Sequence, residues 1–292
     1  PLQDTSSLLQ SGKVNFVLTI PSGFSKAWVR GEKPSLLLEA DATDPAAAAM
    51  AVAQISPIVE RTLADIQTGS LNYLKSKPSS INVVVHNKYN PEGISQFNIV
   101  PGLLGVILTM TMVMITSIAM TREAERGTME NLLAMPSKPL EVMIGKITPY
   151  VLMGLVQTMI ILLASDMLFH VPFVGSGSSF ALGVGLFILT NLAIGFTFST
   201  IAKSQMQAMQ LTFFFFLPSM LLSGFMFPFQ GMPKWAQYLG EILPLTHFLR
   251  IVRGIMLKGT SLSLLSNEFL ALLAILIIVG IIAMLRYRQT LD

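Results

Sequence analysis

The chain has 292 residues, of which 52% are hydrophobic and 12% charged, and its mean hydropathy is +0.64. Those values lie well away from the averages of soluble domains and point to a membrane protein. The net charge of +3 is too small to support nucleic-acid binding, and with no cysteine no disulfide staples any part of the chain.

Residues 1–98 read as a small water-soluble α/β domain. The first 100 residues carry eight Lys or Arg, are mixed in polarity and contain no run long enough to cross a bilayer. Lys13–Ile20 alternates as a strand does, Pro21–Gly31 is a short helix with Pro at its start, and Ser35–Ala40 is a second strand. Asp44 then caps a long helix with Pro45 in its first turn. Ala48, Val52, Ile55, Val59, Leu63 and Ile66 recur at spacings of three and four, as one buried face requires. Ile81–His86 is a third strand, and strands alternating with helices predict a sheet with helices packed on it. The domain shows no convergent polar cluster, which favours a packing or assembly role over binding of a substrate or a periplasmic partner. Asn87–Gly93 is rich in turn formers and leads through Phe97 and Pro101 into the apolar part of the chain.

Residues 99–292 hold five apolar blocks at about 102–120, 147–169, 180–201, 208–229 and 269–285. Four approach or exceed the roughly 20 residues that cross hydrocarbon, and the fifth is at the short limit. Inside lipid every backbone group must be paired, so such blocks are helices; a soluble all-helical core is the alternative. Placing the 121–142 loop inside puts Arg122, Arg126, Lys138, Lys146, Lys203, Arg286 and Arg288 in the cytoplasm. Lys234, Arg250, Arg253 and Lys258 fall outside, so the positive-inside bias is present but imperfect. Five crossings that end inside make residues 1–98 extracytoplasmic. An exported domain needs a signal or an earlier helix, yet the chain opens at Pro1 without Met, basic region or apolar run. A further helix ahead of residue 1, giving six spans, is therefore expected.

The cytoplasmic insert at 121–142 is charged and helix-forming. Glu123, Arg126 and Glu130 form one stripe at helical spacing, with Met129, Leu132, Leu133 and Met135 on an apolar side. Gly127 breaks the segment, Thr128 caps the second piece, and Pro136 and Pro139 end it. A short amphipathic helix of this kind lies in the interface or fits a partner's groove; a solvated turn is the plainer reading, but it has no need of the apolar side. Catalytic signatures are missing. A phosphate-binding loop ending at Gly145-Lys146 would need Gly at Leu140 and Ser or Thr at Ile147. His86, His170 and His247 lack metal-ligand spacing, and no nucleophile elbow occurs.

The run Arg122-Glu123-Ala124-Glu125-Arg126-Gly127-Thr128-Met129-Glu130-Asn131-Leu132-Leu133-Ala134-Met135-Pro136, with Leu140-Glu141 and Gly145-Lys146, resembles the cytoplasmic loop of ABC-2 type exporter permeases. Tyr89-Asn90-Pro91 before Val100-Pro101-Gly102, Ser223-Gly224 with Phe227-Pro228, and Leu243-Pro244-Leu245-Thr246 before Arg253-Gly254 and Lys258-Gly259 extend the likeness over nearly the whole chain. The branch it most resembles has a large outer domain after the first helix. The resemblance implies that Arg122, Glu123, Arg126, Gly127, Thr128, Glu130, Leu132, Leu133 and Pro136 belong to a coupling helix seated on a separate cytoplasmic ATPase subunit. That subunit would hold ATP and Mg, and this chain would need no cofactor of its own. It also implies a second permease subunit, as homodimer or heterodimer, a place in the bacterial inner membrane, and export of hydrophobic or amphipathic, drug-like compounds. A periplasmic adaptor is a further candidate partner. Export of lipid or polysaccharide, a proton-coupled carrier and an envelope scaffold are the competing readings.

Polar and soft side chains in the spans are candidates for the substrate path. Gln157 and Asn191 either line it or bond between helices, the second being the commoner role. Phe213 and Met220 belong to a deformable surface with Phe214–Phe216, Met206 and Met209, facing lipid or the dimer axis. Pro218 permits a kink there. Asp166 and His170 are the candidate proton relay, though both fall near an outer span end where hydration lowers the cost of a charge. Residues 230–262, with Trp235, Tyr238, Leu239, Ile242 and Leu243 and then Phe248, Leu249, Val252 and Ile255, predict short amphipathic helices folding back into the outer leaflet. Arg250 and Arg253 would then face water or headgroups.

Overall fold

Residues 2–30, 32–67, 81–126 and 139–289 are described in the computed structural model, and the chain divides into two units, Pro1–Asn98 and Ile99–Asp292. The first unit runs α1 (Leu2–Gln10), β1 (Phe16–Thr19), α2 (Phe24–Val29), β2 (Ser35–Asp41), α3 (Pro45–Gln67) and β3 (Asn82–Lys88). The sheet order is β1-β2-β3. The central strand β2 is antiparallel to β1, with Leu38 opposite Leu18, and parallel to β3, with Leu38 opposite Val85. A parallel pair needs a long crossover, which α3 supplies. Alternation in β2 buries Leu36, Leu38 and Ala40 on one face.

Asp44 caps α3 as its position predicts: its Oδ1 accepts a hydrogen bond from Ala47 N at 3.1 Å. The apolar stripe of α3 is that helix's least exposed face, but of it only Ala48 is fully buried, while Val52, Ile55 and Val59 are half-covered; the side chains of Leu63 and Ile66 lie outside the described residues. Helix α1 was not legible as such, because Ser and Gln outnumber its apolar residues; it is anchored through Leu9, which is fully buried. The turn-rich linker closes on Asn90, whose Nδ2 donates to Ile94 O at 2.9 Å while its Oδ1 accepts from Ile94 N at 3.0 Å.

The second unit is helical: α4 (Ser95–Glu125), α5 (Pro139–Phe169), α6 (Gly177–Ile201), α7 (Gln205–Leu222), α8 (Lys234–Glu241), α9 (Pro244–Lys258) and α10 (Ser266–Gln289). Among the described residues four helical stretches are long and apolar enough to cross a membrane: Ser95–Glu125, Ile147–Phe169, Gly177–Ile201 and Ser266–Arg286. The first starts ahead of the expected residue 102, because Pro101 is accommodated inside the helix rather than ending it. The block expected at 208–229 is not one helix. Three glutamines dilute the start of α7, and the chain turns at Gly224, with φ of 86°, a conformation that glycine adopts without penalty.

Helix α6 is the centre, packed against α5, α7, α9 and α10. Close approach depends on small residues. A Cβ on Gly195 would lie 2.6 Å from Val113 O of α4, and one on Gly105 would lie 2.7 Å from Leu245 Cδ1 of α9. Phe187 of α6 stacks on Phe248 of α9 with ring centroids 3.9 Å apart. In their most apolar stretches 61% of α6 is buried against 17% of α10 and of α5, so the last two present Val156, Ile160, Ile278 and Ile281 outward. Such surfaces suit hydrocarbon, not water. Several buried hydroxyls are satisfied within their own helices, as where Thr109 Oγ1 donates to Gly105 O at 2.8 Å and Thr212 Oγ1 to Ala208 O at 2.9 Å, whereas those of Thr116, Ser117 and Ser165 find no partner among the described residues.

The two ends of this bundle collect different residues. At one, Gly102 abuts the Phe225 ring and the Arg253 guanidinium; at the other, Glu125 meets Gln205. Helix α7 with the turn that follows it therefore runs beside the Gly102–Glu125 part of α4. The two short helices in 230–262 depart from expectation in one respect. Helix α9 is a core helix, burying Leu245, Ile251, Met256 and Leu257 as well as Phe248, Leu249, Val252 and Ile255, whereas α8 leaves Trp235 and Tyr238 exposed.

Candidate functional site

The described part of the 121–142 insert is its entry. Helix α4 continues through the charged run, with Arg126 N donating to Arg122 O at 3.2 Å. Arg122 and Arg126 are exposed and Glu123 is half-buried; with Ala119 they line a shallow hollow. Gly127, Thr128, Glu130, Leu132, Leu133 and Pro136 lie outside the described residues. Glu125, which the spacing argument did not single out, accepts two hydrogen bonds from Gln205, from N at 2.9 Å and from Nε2 at 2.6 Å.

The candidate path residues lie on three helices, α5, α6 and α7. Gln157 of α5 bonds across to α4, its Oε1 accepting from Thr111 Oγ1 at 2.9 Å, which is the interhelical role. Asn191 is fully buried and its Nδ2 donates to Phe187 O of its own helix at 2.8 Å; its Oδ1 finds no partner among the described residues. Phe213 is exposed and Met220 half-buried, two turns apart on one side of α7. Asp166 and His170 are both exposed at the end of α5. The backbone joins them, His170 N donating to Asp166 O at 3.1 Å, and His170 adopts φ of 49°; their side chains are not paired.

The densest polar cluster among the described residues was missed from the sequence. His247 of α9 is buried, with Nδ1 2.6 Å from Glu268 Oε2 at the start of α10 and Nε2 2.9 Å from Glu241 O at the end of α8. A carbonyl oxygen can only accept, and an ionised carboxylate likewise, so the doubly protonated ring satisfies both. Burial opposes the charge on His247, but the bonds to Glu268 and to the Glu241 carbonyl outweigh it and hold its pKa above the ordinary histidine value. Arg250 completes the group. Its Nη2 is 2.6 Å from Glu241 Oε1, its Nη1 is 3.3 Å from Glu268 Oε1, and its Cζ lies 4.7 Å from the Phe229 ring centroid. Arg253, half-buried, donates from Nη1 to Gly224 O at 3.0 Å. The two arginines expected in water or at headgroups are thus held by protein groups that cross-link α8, α9, α10 and the turn after α7.

Four apolar helices around a packed centre, closed at one end by a charged clasp and opening at the other into a charged insert, define a multi-pass helical membrane protein. Residues 2–285 match the sequence model described as ABC-2 family transporter protein, and this chain belongs to that family. It is 30% identical over 287 residues, 98% of this chain and 77% of the relative, to the "Probable multidrug ABC transporter permease YbhR" of Escherichia coli strain K12. It is also 30% identical over 291 residues, 97% of this chain and 75% of the relative, to the "Inner membrane transport permease YhhJ" of the same strain. A eukaryotic likeness is the "ABC transporter G family member 20" of Dictyostelium discoideum, 28% identical over 211 residues, 72% of this chain and 29% of the relative.

Proposed function

We propose that this chain is the membrane permease subunit of an ATP-driven exporter that moves hydrophobic or amphipathic, drug-like compounds across a bacterial inner membrane. The observation that carries this reading is the likeness, over 98% of the chain, to a relative named as a multidrug ABC transporter permease. The energy source is a separate cytoplasmic ATPase subunit, a reading supported by the charged, amphipathic sequence pattern of the insert and by the relatives named as ABC transporter permeases. ATP and Mg are held by that subunit, and two permeases pair to form the path.

The 121–142 insert is cytoplasmic and residues 1–98 are extracytoplasmic, where they serve assembly or meet a periplasmic adaptor. Helix α7 is a fifth crossing. Its 18 residues extend about 27 Å at 1.5 Å per residue, close to the thickness of the hydrocarbon core, and its start and the turn after its end meet α4 at Glu125 and Gly102. The test is copurification and transport: full-length permease coexpressed with its ATPase should carry that subunit through purification and export the dye Hoechst 33342. Replacing Glu123, Arg126 and Leu132 together by alanine should abolish both. Dye export that survives ATP depletion and collapses with the proton gradient would replace this reading with a proton-coupled carrier.

A further inference from the structure

We propose that Glu125 is the positioning residue through which movement of the cytoplasmic insert reaches α7. The inference rests on the reading of that insert as the seat of an ATPase subunit, and it adds the element that receives the push. Glu125 is the last residue of α4 and stands where the chain enters the insert. Its carboxylate is joined by two hydrogen bonds to Gln205, the first residue of α7, across 80 residues of sequence. Both bonds are charge-assisted, and the carboxylate faces the positive end of a helix, which strengthens them.

The start of α7 is built to move as a body. Ser204 Oγ accepts from Gln207 N at 3.2 Å, and Gln207 Oε1 accepts from Lys203 N at 2.7 Å. These reciprocal bonds tie the first turn together, so a pull on Gln205 displaces the helix instead of unravelling it. The two helices differ in how firmly they are held. Helix α4 buries fourteen of its residues, whereas α7 buries only Ala208, Thr212 and Ser219. Of the pair, α7 is the one held by less packing within this chain. It carries Phe213 and Met220, the soft side chains nominated for the substrate path, so the Glu125–Gln205 link joins the drive to the surface that handles cargo.

The 292 residues hold no cysteine, so a single introduced cysteine is a direct probe once any cysteine elsewhere in the protein is replaced. Phe214 is 77% exposed, and a bimane fluorophore on F214C in the full-length permease purified with its ATPase subunit reports the surroundings of α7. Trapping with ATP and vanadate should shift its emission. E125A should reduce that shift by about twofold or more, since two exposed charged contacts are lost together, while ATPase copurification and ATP hydrolysis persist. Q205E should do the same by setting two carboxylates face to face. The double variant E125Q/Q205E re-forms both bonds with one donor and acceptor exchanged and should restore the shift; a general loss of packing would not be rescued this way. An undiminished shift in E125A, or in Q205E where E125A does not assemble, overturns the inference while leaving the exporter reading intact. If the parent protein copurifies with no ATPase, or shows no nucleotide-dependent shift, the exporter reading fails and takes this one with it.

Discussion

His247 is held between two acceptors, and its charge state follows from them. The carbonyl of Glu241 requires a proton on Nε2 and the carboxylate of Glu268 favours one on Nδ1. Because the folded protein raises the pKa of this ring, it binds the proton more tightly than the unfolded chain, whose histidine titrates near 6.5. The resulting stability is complete below about pH 6.5 and is lost as pH rises through the raised folded value. Thermal unfolding of the detergent-solubilised protein should therefore show a midpoint that declines over that window. In H247Q, which keeps one donor and cannot titrate, the decline should vanish. E268Q should cost about 2 kcal/mol, the usual loss for a hydrogen bond to a charged group, and should also flatten the profile. A midpoint that rises with pH through the same window would contradict the doubly protonated ring.

The elements were legible where local chemistry decides them. Asp44-Pro45 starts α3, and long apolar stretches make α4, α5, α6 and α10, because a cap or an unbroken apolar run acts within a few residues. Legibility fails where the cause is tertiary. His247 and Glu268 are 21 residues apart and Glu125 and Gln205 are 80 apart, and no spacing rule joins such pairs. Arg253 looked like a headgroup contact because the turn at Gly224 that accepts its bond is made by a different stretch of chain. Helix α6 shows the same limit in its glycines, which are alike in sequence and unlike in space. A Cβ on Gly195 would meet Val113 O at 2.6 Å and Thr116 Cβ at 3.0 Å, backbone and a stiff side chain that cannot yield, whereas one on Gly185 would meet nothing within 4 Å. G195A should thus destabilise by about 1–3 kcal/mol, as overpacking does. G185A should be neutral or gain up to about 1 kcal/mol from helix propensity. Equal midpoints for the two variants would mean that α4 and α6 do not pack at that distance.

At the scale of the molecule, the asymmetry of the bundle's two ends constrains what it can do. One end is cross-linked by Glu241, His247, Arg250 and Glu268, with Arg253 on the turn after α7, so α8, α9 and α10 are fixed to one another there. At the other end α7 is held by its own capping bonds and by the carboxylate of Glu125. On the proposed reading of the insert as the seat of an ATPase subunit, α7, joined to Arg253 through the turn at one end and to Glu125 at the other, would swing about the clasped end, with the largest displacement at the face that the subunit pushes. This geometry has a topological requirement: α7 must cross the membrane, with Lys203 inside and the 223–265 region outside. Single cysteines in the cysteine-free chain test it with a membrane-impermeant maleimide. S263C should be labelled in spheroplasts with an intact inner membrane, while K203C and R286C should be labelled only after permeabilisation. Labelling of K203C in unpermeabilised spheroplasts would put both ends of α7 on one side. The lever would then have no membrane to work across, and Glu125 would be left with a purely structural contact.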